Sequence, residues 1–477
     1  MMKRVLLYIA VLLLVLACSA RAQSSEGGEE DPFKNDPFFS KPLQEFFQKS
    51  GSSEDSTASV TGQRTMKRQI RHLNQEGIDF EDFLEAGPYN SSLLYSRYPN
   101  LPMIHFNRVN GLFLGLEQER MQWYGDNWLF DIPNIQTHGL IGYSFAQEDW
   151  NYSVGLEKLF GRNKYVMIGA EYHNAAATDD HWRVGLTETT VTSFFAGYDY
   201  LDYYKQKGFG TYLLLRTKRF FEGGVSFNDS RYSSLQKRTN WALFGAGDRY
   251  RTNPPIDFVS GTPVDTLDIS SLTFAGSFNP KRLLISRFFT FSLNGMVEIG
   301  DPGISRSDAT YTKYTGELKT YLNFEPGGVL KYRLKMGSIT GEAPNFKEFQ
   351  LGGLGSLRAL PYKSYTGNPG GIDHFANQMI LSTAEVQFGS PDYGDSDWID
   401  FDDFYLSFFL DSGWANYSAE LAESNAPFTD FGAFTFSDLR HNGGIGIGSS
   451  LLRLELAWDL NETSRAPVLW LRLNPTF

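Results

Sequence analysis

From His105 onward, apolar and polar residues alternate with a period of two. Tyr152, Val154 and Leu156 enclose Ser153 and Gly155, and Leu330, Tyr332, Leu334 and Met336 interleave with Lys331, Arg333 and Lys335. Near the end, Leu452, Leu454, Leu456 and Trp458 alternate with Arg453, Glu455, Ala457 and Asp459, and Leu469, Leu471 and Leu473 with Trp470 and Arg472. Successive side chains of a strand point to opposite faces, so each run presents one apolar and one polar face. Runs of this kind centre near residues 110, 140, 154, 169, 195, 213, 225, 274, 294, 317 and 333, and then near 382, 408, 445, 455 and 471. Between Ser226 and Leu267, a long loop containing Pro254-Pro255 makes the strand count least secure. Sixteen strands over this length leave roughly 23 residues for each strand and its connection, which suits tilted membrane-crossing strands of about ten residues.

A soluble sandwich also alternates, with its apolar face inward. Two features favour an all-β, 16-stranded antiparallel transmembrane β-barrel instead. Residues 1–22 read as a signal peptide: Lys3 and Arg4, an apolar run from Val5 to Ala17, and the small-x-small site Ala20-Arg21-Ala22. Phe477 then ends the chain on an alternating strand, as a C-terminal sorting signal would. Val15-Leu16-Ala17-Cys18 also fits a lipoprotein box, and both processing routes stay open. An even strand number puts both ends of the barrel on the periplasmic side.

Composition agrees with a barrel wall. Aromatic residues make up 15% of the chain and there are 46 glycines, yet the mean hydropathy is only −0.32. A barrel needs apolar residues at alternate positions only, with aromatic girdles at both interfaces, so its mean hydropathy stays low. The net charge of −12 argues against nucleic acid, which calls for a basic face. Cys18 is the only cysteine, so disulfides have no role.

Residues 23–102 follow a different pattern. Ser24–Gly62 is rich in Ser, Glu and Gly and repeats Asp-Pro-Phe at 31–33 and 36–38, which reads as disordered linker. Thr65–Ala86, with Met66, Ile70, Leu73, Ile78, Phe83 and Leu84 among charges, predicts short amphipathic helices ended by Gly87-Pro88. The expected domains are therefore a signal peptide (1–22), a periplasmic linker (23–102) and an outer-membrane barrel (103–477).

The densest motif is Phe349–Tyr362, FQLGGLGSLRALPY, where Gly352, Gly353, Gly355 and Leu357 lead to Arg358. It follows the eleventh expected strand and precedes the last five. Glycines there permit positive φ and close backbone approach. A guanidinium can grip a carboxylate at two points and so fix a loop tip in place and orientation. A partner is available at 409–413, Phe-Leu-Asp-Ser-Gly. Phe404, Leu406, Phe408 and Leu410 form an apolar row, which places Phe409, Asp411 and Gly413 on the inner face.

These two motifs resemble the sixth-loop motif and the F-x-D-x-G strand of the BamA/TamA-type outer-membrane assembly barrels, the bacterial surface antigen superfamily. The resemblance covers the barrel and includes Phe106-Asn107-Arg108-Val109-Asn110-Gly111-Leu112. It implies a sixth extracellular loop folded into the lumen, with Arg358 meeting Asp411. It also implies a non-enzymatic role in inserting or translocating polypeptide or lipid through a first-to-last strand seam. The implied partners are outer-membrane lipid, the assembly machinery that inserts the barrel itself, and a polypeptide client. The chain departs from the pattern in three places. Arg358-Ala359-Leu360 replaces arginine-glycine-aromatic, with Leu360 or Tyr362 as the substitute. Periplasmic peptide-binding (POTRA) modules are not evident. Pro475 in the last strand has no N–H to pair with the first.

No G-x-S-x-G, H-E-x-x-H or P-loop motif occurs, and His105, His138, His173, His181 and His374 lack metal-ligand spacing. No catalytic residue, metal or cofactor is expected. The competing reading is a passive or structural channel with an anion-attracting lumen built on Lys331, Arg333 and Lys335.

Overall fold

A computed structural model describes residues 102–473, leaving out 119–134, 161–165, 217–220, 245–249, 280–287, 325–327, 369–373, 390–403, 424–426, 428–433 and 449–451. The expected signal peptide, the linker with its amphipathic helices, Pro475 and Phe477 lie outside the described residues.

Sixteen strands form one antiparallel sheet in chain order. They are β1 (Pro102–Asn107), β2 (Gly111–Gln118), β3 (Ile135–Ser144), β4 (Asp149–Phe160), β5 (Val166–Ala177), β6 (Tyr204–Arg216), β7 (Phe221–Ser234), β10 (Thr266–Phe278), β11 (Phe289–Gly300), β12 (Thr310–Phe324), β13 (Gly328–Glu342), β14 (Gln378–Phe388), β15 (Tyr405–Asn416), β16 (Arg440–Gly448), β17 (Leu452–Asp459) and β18 (Val468–Leu473). A separate hairpin, β8 (Asp257–Val259) and β9 (Thr262–Val264), stands in the β7–β10 connection. Two helices, α1 (Leu186–Ala196) and α2 (Ala419–Glu423), lie in the β5–β6 and β15–β16 connections.

The expected number of strands is met, with two corrections that cancel. The region near 110 holds two strands rather than one. The Asn107 side chain accepts the N–H groups of Val109 and Asn110, at 3.0 and 2.6 Å, and Gly111 has φ +60°, so the chain reverses within three residues. The region near 195 is α1, not a strand. Its sequence, LTETTVTSFFA, is rich in β-branched residues, but Gly197 at φ 74° closes it with a left-handed cap. The region where the strand count is least secure is ordered too. β7 continues to Ser234, and Ser260-Gly261, both at positive φ, make the β8–β9 turn.

The alternation in sequence is an alternation in exposure. On β15, Leu406, Phe408 and Leu410 are 41–47% exposed, whereas Ser407 and Asp411 are at 0%. Outward rows of the same kind run along β1–β2 (Ile104, Leu114, Leu116) and β17–β18 (Leu454, Leu469, Leu471). An apolar exterior around a polar, buried interior is the inverse of a soluble sandwich and matches a wall solvated by lipid. The interior is filled by the described part of the β13–β14 connection, residues 343–368 and 374–377. Lys347 reaches Asp179 after β5 and Glu298 on β11, and Phe346 packs on Tyr204 and Tyr232. Arg358 reaches β15 and β17. Strands from opposite stretches of the sheet touch one loop, so the sheet is rolled around it.

Candidate functional site

Three glycines set the path of the loop. Gly352, Gly353 and Gly355 have φ of +111°, +80° and +71°, which an L side chain rarely adopts. Gly353 donates nothing but its N–H, which lies 2.9 Å from Leu357 O and 3.1 Å from Leu360 O, curling the chain into a compact knuckle. Leu351, Leu354 and Leu357 are buried beneath it. On the opposing strand, a Cβ at Gly413 would lie 3.0–3.2 Å from Leu351 and Leu357, so the glycine lets the knuckle rest against the wall.

The knuckle delivers Arg358 to a buried ionic cluster. Its Nε donates to Asp411 Oδ2 at 2.7 Å and its Nη2 to Asp411 Oδ1 at 2.9 Å, a two-point grip. Nη1 donates to Glu455 Oε1 at 3.1 Å and lies 3.6 Å from Glu385 Oε2. Arg453 in turn binds Glu385, at 2.7 Å, and Glu455. Arg358 is 4% exposed and Asp411 0%. Burial by itself would lower the Arg358 pKa, but the Asp411 and Glu455 carboxylates outweigh it and the net direction is upward.

Flat surfaces hold the guanidinium on its other side. The Arg358 Cζ sits 3.3 Å from the centroid of the Phe409 ring. That ring lies on Gly444 of β16, where a Cβ would come within 2.1 Å of it. A bare backbone, an aromatic ring and a guanidinium are thus stacked in sequence. Backbone contacts complete the attachment: Ala359 N–H donates to Asn442 Oδ1 at 3.0 Å, and Trp470 Nε1 donates to the Arg358 carbonyl at 2.8 Å.

Every expected residue of this group inside the described region, Gly352, Gly353, Gly355, Leu357, Arg358, Phe409, Asp411 and Gly413, therefore meets in one place. Glu385, Asn442, Arg453, Glu455 and Trp470 were not named as members. They are inward positions brought alongside by register: Glu385 pairs with Phe409, Asn442 with Asp411, and Glu455 with Gly446 and Trp470. Their alternation marks them as inward, but only the pairing shows which of them meet. Of the two proposed substitutes for the motif aromatic, Leu360 is buried in the core, while Tyr362 packs against Arg251 and Arg183.

The cations named for an anion-attracting lumen do face inward, but Arg333 binds Glu317 at 2.5 Å and Lys335 lies 3.9 Å from the Trp182 ring centroid. Two histidines that looked dispersed come together on the wall. His138 Nε2 is 3.0 Å from Glu171 Oε2, and His173 Nδ1 is 3.9 Å from Glu171 Oε1.

The fold and the cluster together define a 16-stranded membrane β-barrel whose eleventh-to-twelfth strand connection is anchored inside by a buried arginine. The chain belongs to the family described as "Family of unknown function (DUF5686) C-terminal domain", whose model matches residues 88–343, slightly more than half of the chain. No curated protein matches it. Among solved structures it is similar to BamA from Haemophilus ducreyi lacking POTRA domains 1–3, at 13% identity and a TM-score of 0.45, covering 75% of this chain and 66% of that one. It is also similar to CdiB from Acinetobacter baumannii, at 9% identity and a TM-score of 0.41, covering 77% and 57%. CdiB from Escherichia coli aligns at 10% identity and a TM-score of 0.38, covering 80% and 62%. The chain thus spans less than two thirds of the length of the CdiB chains and 66% of the BamA chain.

Proposed function

We propose that this protein is a non-enzymatic outer-membrane barrel of the BamA/TamA-like kind that assists insertion or translocation of polypeptide, or of lipid, at the seam between its first and last strands. One observation carries the reading: the lumen is occupied by a loop fastened through Arg358 and Asp411, whereas β1 and β18 share no pairing among the described residues. A filled lumen obstructs passage through the barrel. Strand edges that share no pairing among the described residues offer main-chain donors and acceptors to an extended client. In this account Arg358–Asp411 acts as a loop-to-wall lock that keeps the lumen braced while the seam works. Client, outer-membrane lipid and assembly machinery are the partners, and residues 23–102 stay in the periplasm.

The alternative is a passive or structural channel. The inward Lys331, Arg333 and Lys335 favour it, but the filled lumen counts against free conduction. Depletion of the protein followed by quantitation of outer-membrane proteins, surface-exposed proteins and lipids tests the first reading. The expected result is selective loss of a client class, restored by wild type and not by Arg358→Met. An unchanged outer membrane together with stable, anion-preferring single-channel currents from the purified barrel would leave the channel reading.

A further inference from the structure

The β5–β6 connection, residues 178–203, reaches both end strands of the sheet, β1 and β18, which share no pairing among the described residues. On the β18 side, Glu188 of α1 receives Arg472 Nε at 2.9 Å and Nη2 at 3.3 Å, and also the backbone N–H of Leu473 at 3.2 Å. That last contact is informative. Leu473 is the residue of β18 paired with Leu452 of β17, and its N–H goes to a side chain rather than to a strand. By the two-residue repeat, the N–H groups of Leu469 and Leu471 point to the same free edge. Tyr200, just beyond α1, stacks edge-on against Trp470, with centroids 5.8 Å apart.

On the β1 side the same connection holds the other edge. Phe106 points outward by its pairing with Leu112, yet it is buried, because Phe194 of α1 and Trp241 cover it at 5.6 Å each. Arg108, in the turn after β1, is fully buried. Its backbone N–H donates to Asp199 Oδ2 at 2.9 Å, its Nη1 to the Leu201 carbonyl at 2.6 Å, and its Nη2 to Asp202 and Asn253 at 3.0 Å each. One short segment thus meets an inward residue of the last strand and an outward residue of the first.

We propose that α1 is the internal seal of the seam: it stands where β1 and β18 would otherwise pair, and it must leave before an extended polypeptide can reach those edges. The proposal rests on the seam reading for its purpose, and on the contacts above for its geometry. The helix is built for release. Five of its eleven residues are β-branched (Thr187, Thr189, Thr190, Val191, Thr192) and its N-cap, Gly185, supplies no side-chain acceptor. Little intrinsic helicity opposes its unwinding, so its hold comes from tertiary contacts: Glu188, Phe194, the N–H groups of Leu243 and Phe244 on the Phe194 and Phe195 carbonyls at 2.8 and 2.9 Å, the Tyr250 hydroxyl on the Ser193 carbonyl at 2.6 Å, and the Asp199–Arg108 contact.

Hydrogen exchange by mass spectrometry on the full chain in nanodiscs tests the seal. In Glu188→Ala, and separately in Phe194→Ala, the amide of Leu473, which Glu188 caps, is expected to exchange at least tenfold faster than in wild type, while those of β12 and β13 do not change. In wild type, α1 and the β18 edge are expected to exchange together. Unchanged exchange at the β18 edge in the folded variants, or an α1 that exchanges while the edge stays protected, overturns the proposal. A photo-reactive peptide copying β17, Leu452–Asp459, separates the two readings. Capture by the variants above wild type supports both seal and seam client. Faster exchange without capture keeps the seal and removes the client reading.

Discussion

Arg358 and Asp411 are not equivalent partners, and removing them has unequal consequences. The ion-paired group contains two guanidiniums, Arg358 and Arg453, and three carboxylates, Glu385, Asp411 and Glu455. Asp411→Asn removes one negative charge, and Arg358 keeps Glu455 at 3.1 Å and Glu385 at 3.6 Å. Arg358→Met instead strips buried Asp411 of its two-point partner, while Glu385 and Glu455 keep Arg453. Breaking a buried pair costs about 3–5 kcal/mol when the survivor is uncompensated. Arg358→Met belongs at the upper end of that range, whereas Asp411→Asn should cost roughly 1–3 kcal/mol because two acceptors remain. The exposed pair Arg231–Asp268, 60% and 31% exposed, is the control, and Asp268→Asn should cost about 0–1 kcal/mol. Urea unfolding of the refolded barrel in detergent, followed by tryptophan fluorescence and by loss of heat-modifiable mobility, gives the ranking. Equal losses for Asp411→Asn and Asp268→Asn, or an Arg358→Met no weaker than Asp411→Asn, would refute the cluster argument.

Three further outcomes follow from the same geometry. Gly355→Ala puts a Cβ at φ +71° and 2.5 Å from Arg183 Cα, so it should cost roughly 2–5 kcal/mol in the same assay, against little change for Gly295→Ala, where nothing lies within 4 Å. Phe409→Leu removes the ring beneath Arg358 and should cost about 1–3 kcal/mol in the same assay. Glu348, in the infolded loop, has its carboxyl pushed up from 4.5 to about 8, chiefly by burial. Between those values the unfolded chain gives up a proton that the folded chain keeps, so stability falls as pH rises through that window. Glu348→Gln should therefore flatten the pH dependence and, at pH 8–9, raise stability by roughly 3–5 kcal/mol relative to wild type; a variant whose pH profile parallels wild type would show that Glu348 does not titrate this way.

The wall was legible because a lipid-facing strand has to alternate, and residues such as Leu406, Phe408 and Leu410 alternate without a break. Arg358 and Asp411 were legible for a different reason: glycines before an arginine, and an acid on an inward position, are costly residues to bury unless they meet. Glu385 and Glu455 were not, since nothing local distinguishes them from other inward acids until strand register sets them beside Asp411. The helix α1 was misread as a strand because its threonines, valine and phenylalanines carry β propensity, and its conformation is set by Glu188 and Phe194 reaching two sheet edges far away in sequence. The turn at Arg108–Asn110 was missed because the apolar alternation runs nearly through it, while a single side chain, Asn107, reverses the chain.

The central claim is that a client meets this barrel at the seam and not through its lumen. Photo-crosslinking amino acids placed at Ile104 and Leu471, outward on the first and last strands, and at Ile168, outward on β5 four strands from β1, test it in cells actively exporting outer-membrane polypeptides. The account predicts polypeptide adducts at Ile104 and Leu471 and none above background at Ile168. Adducts spread evenly over the three positions, or confined to a probe at the lumenal Lys335, would contradict it.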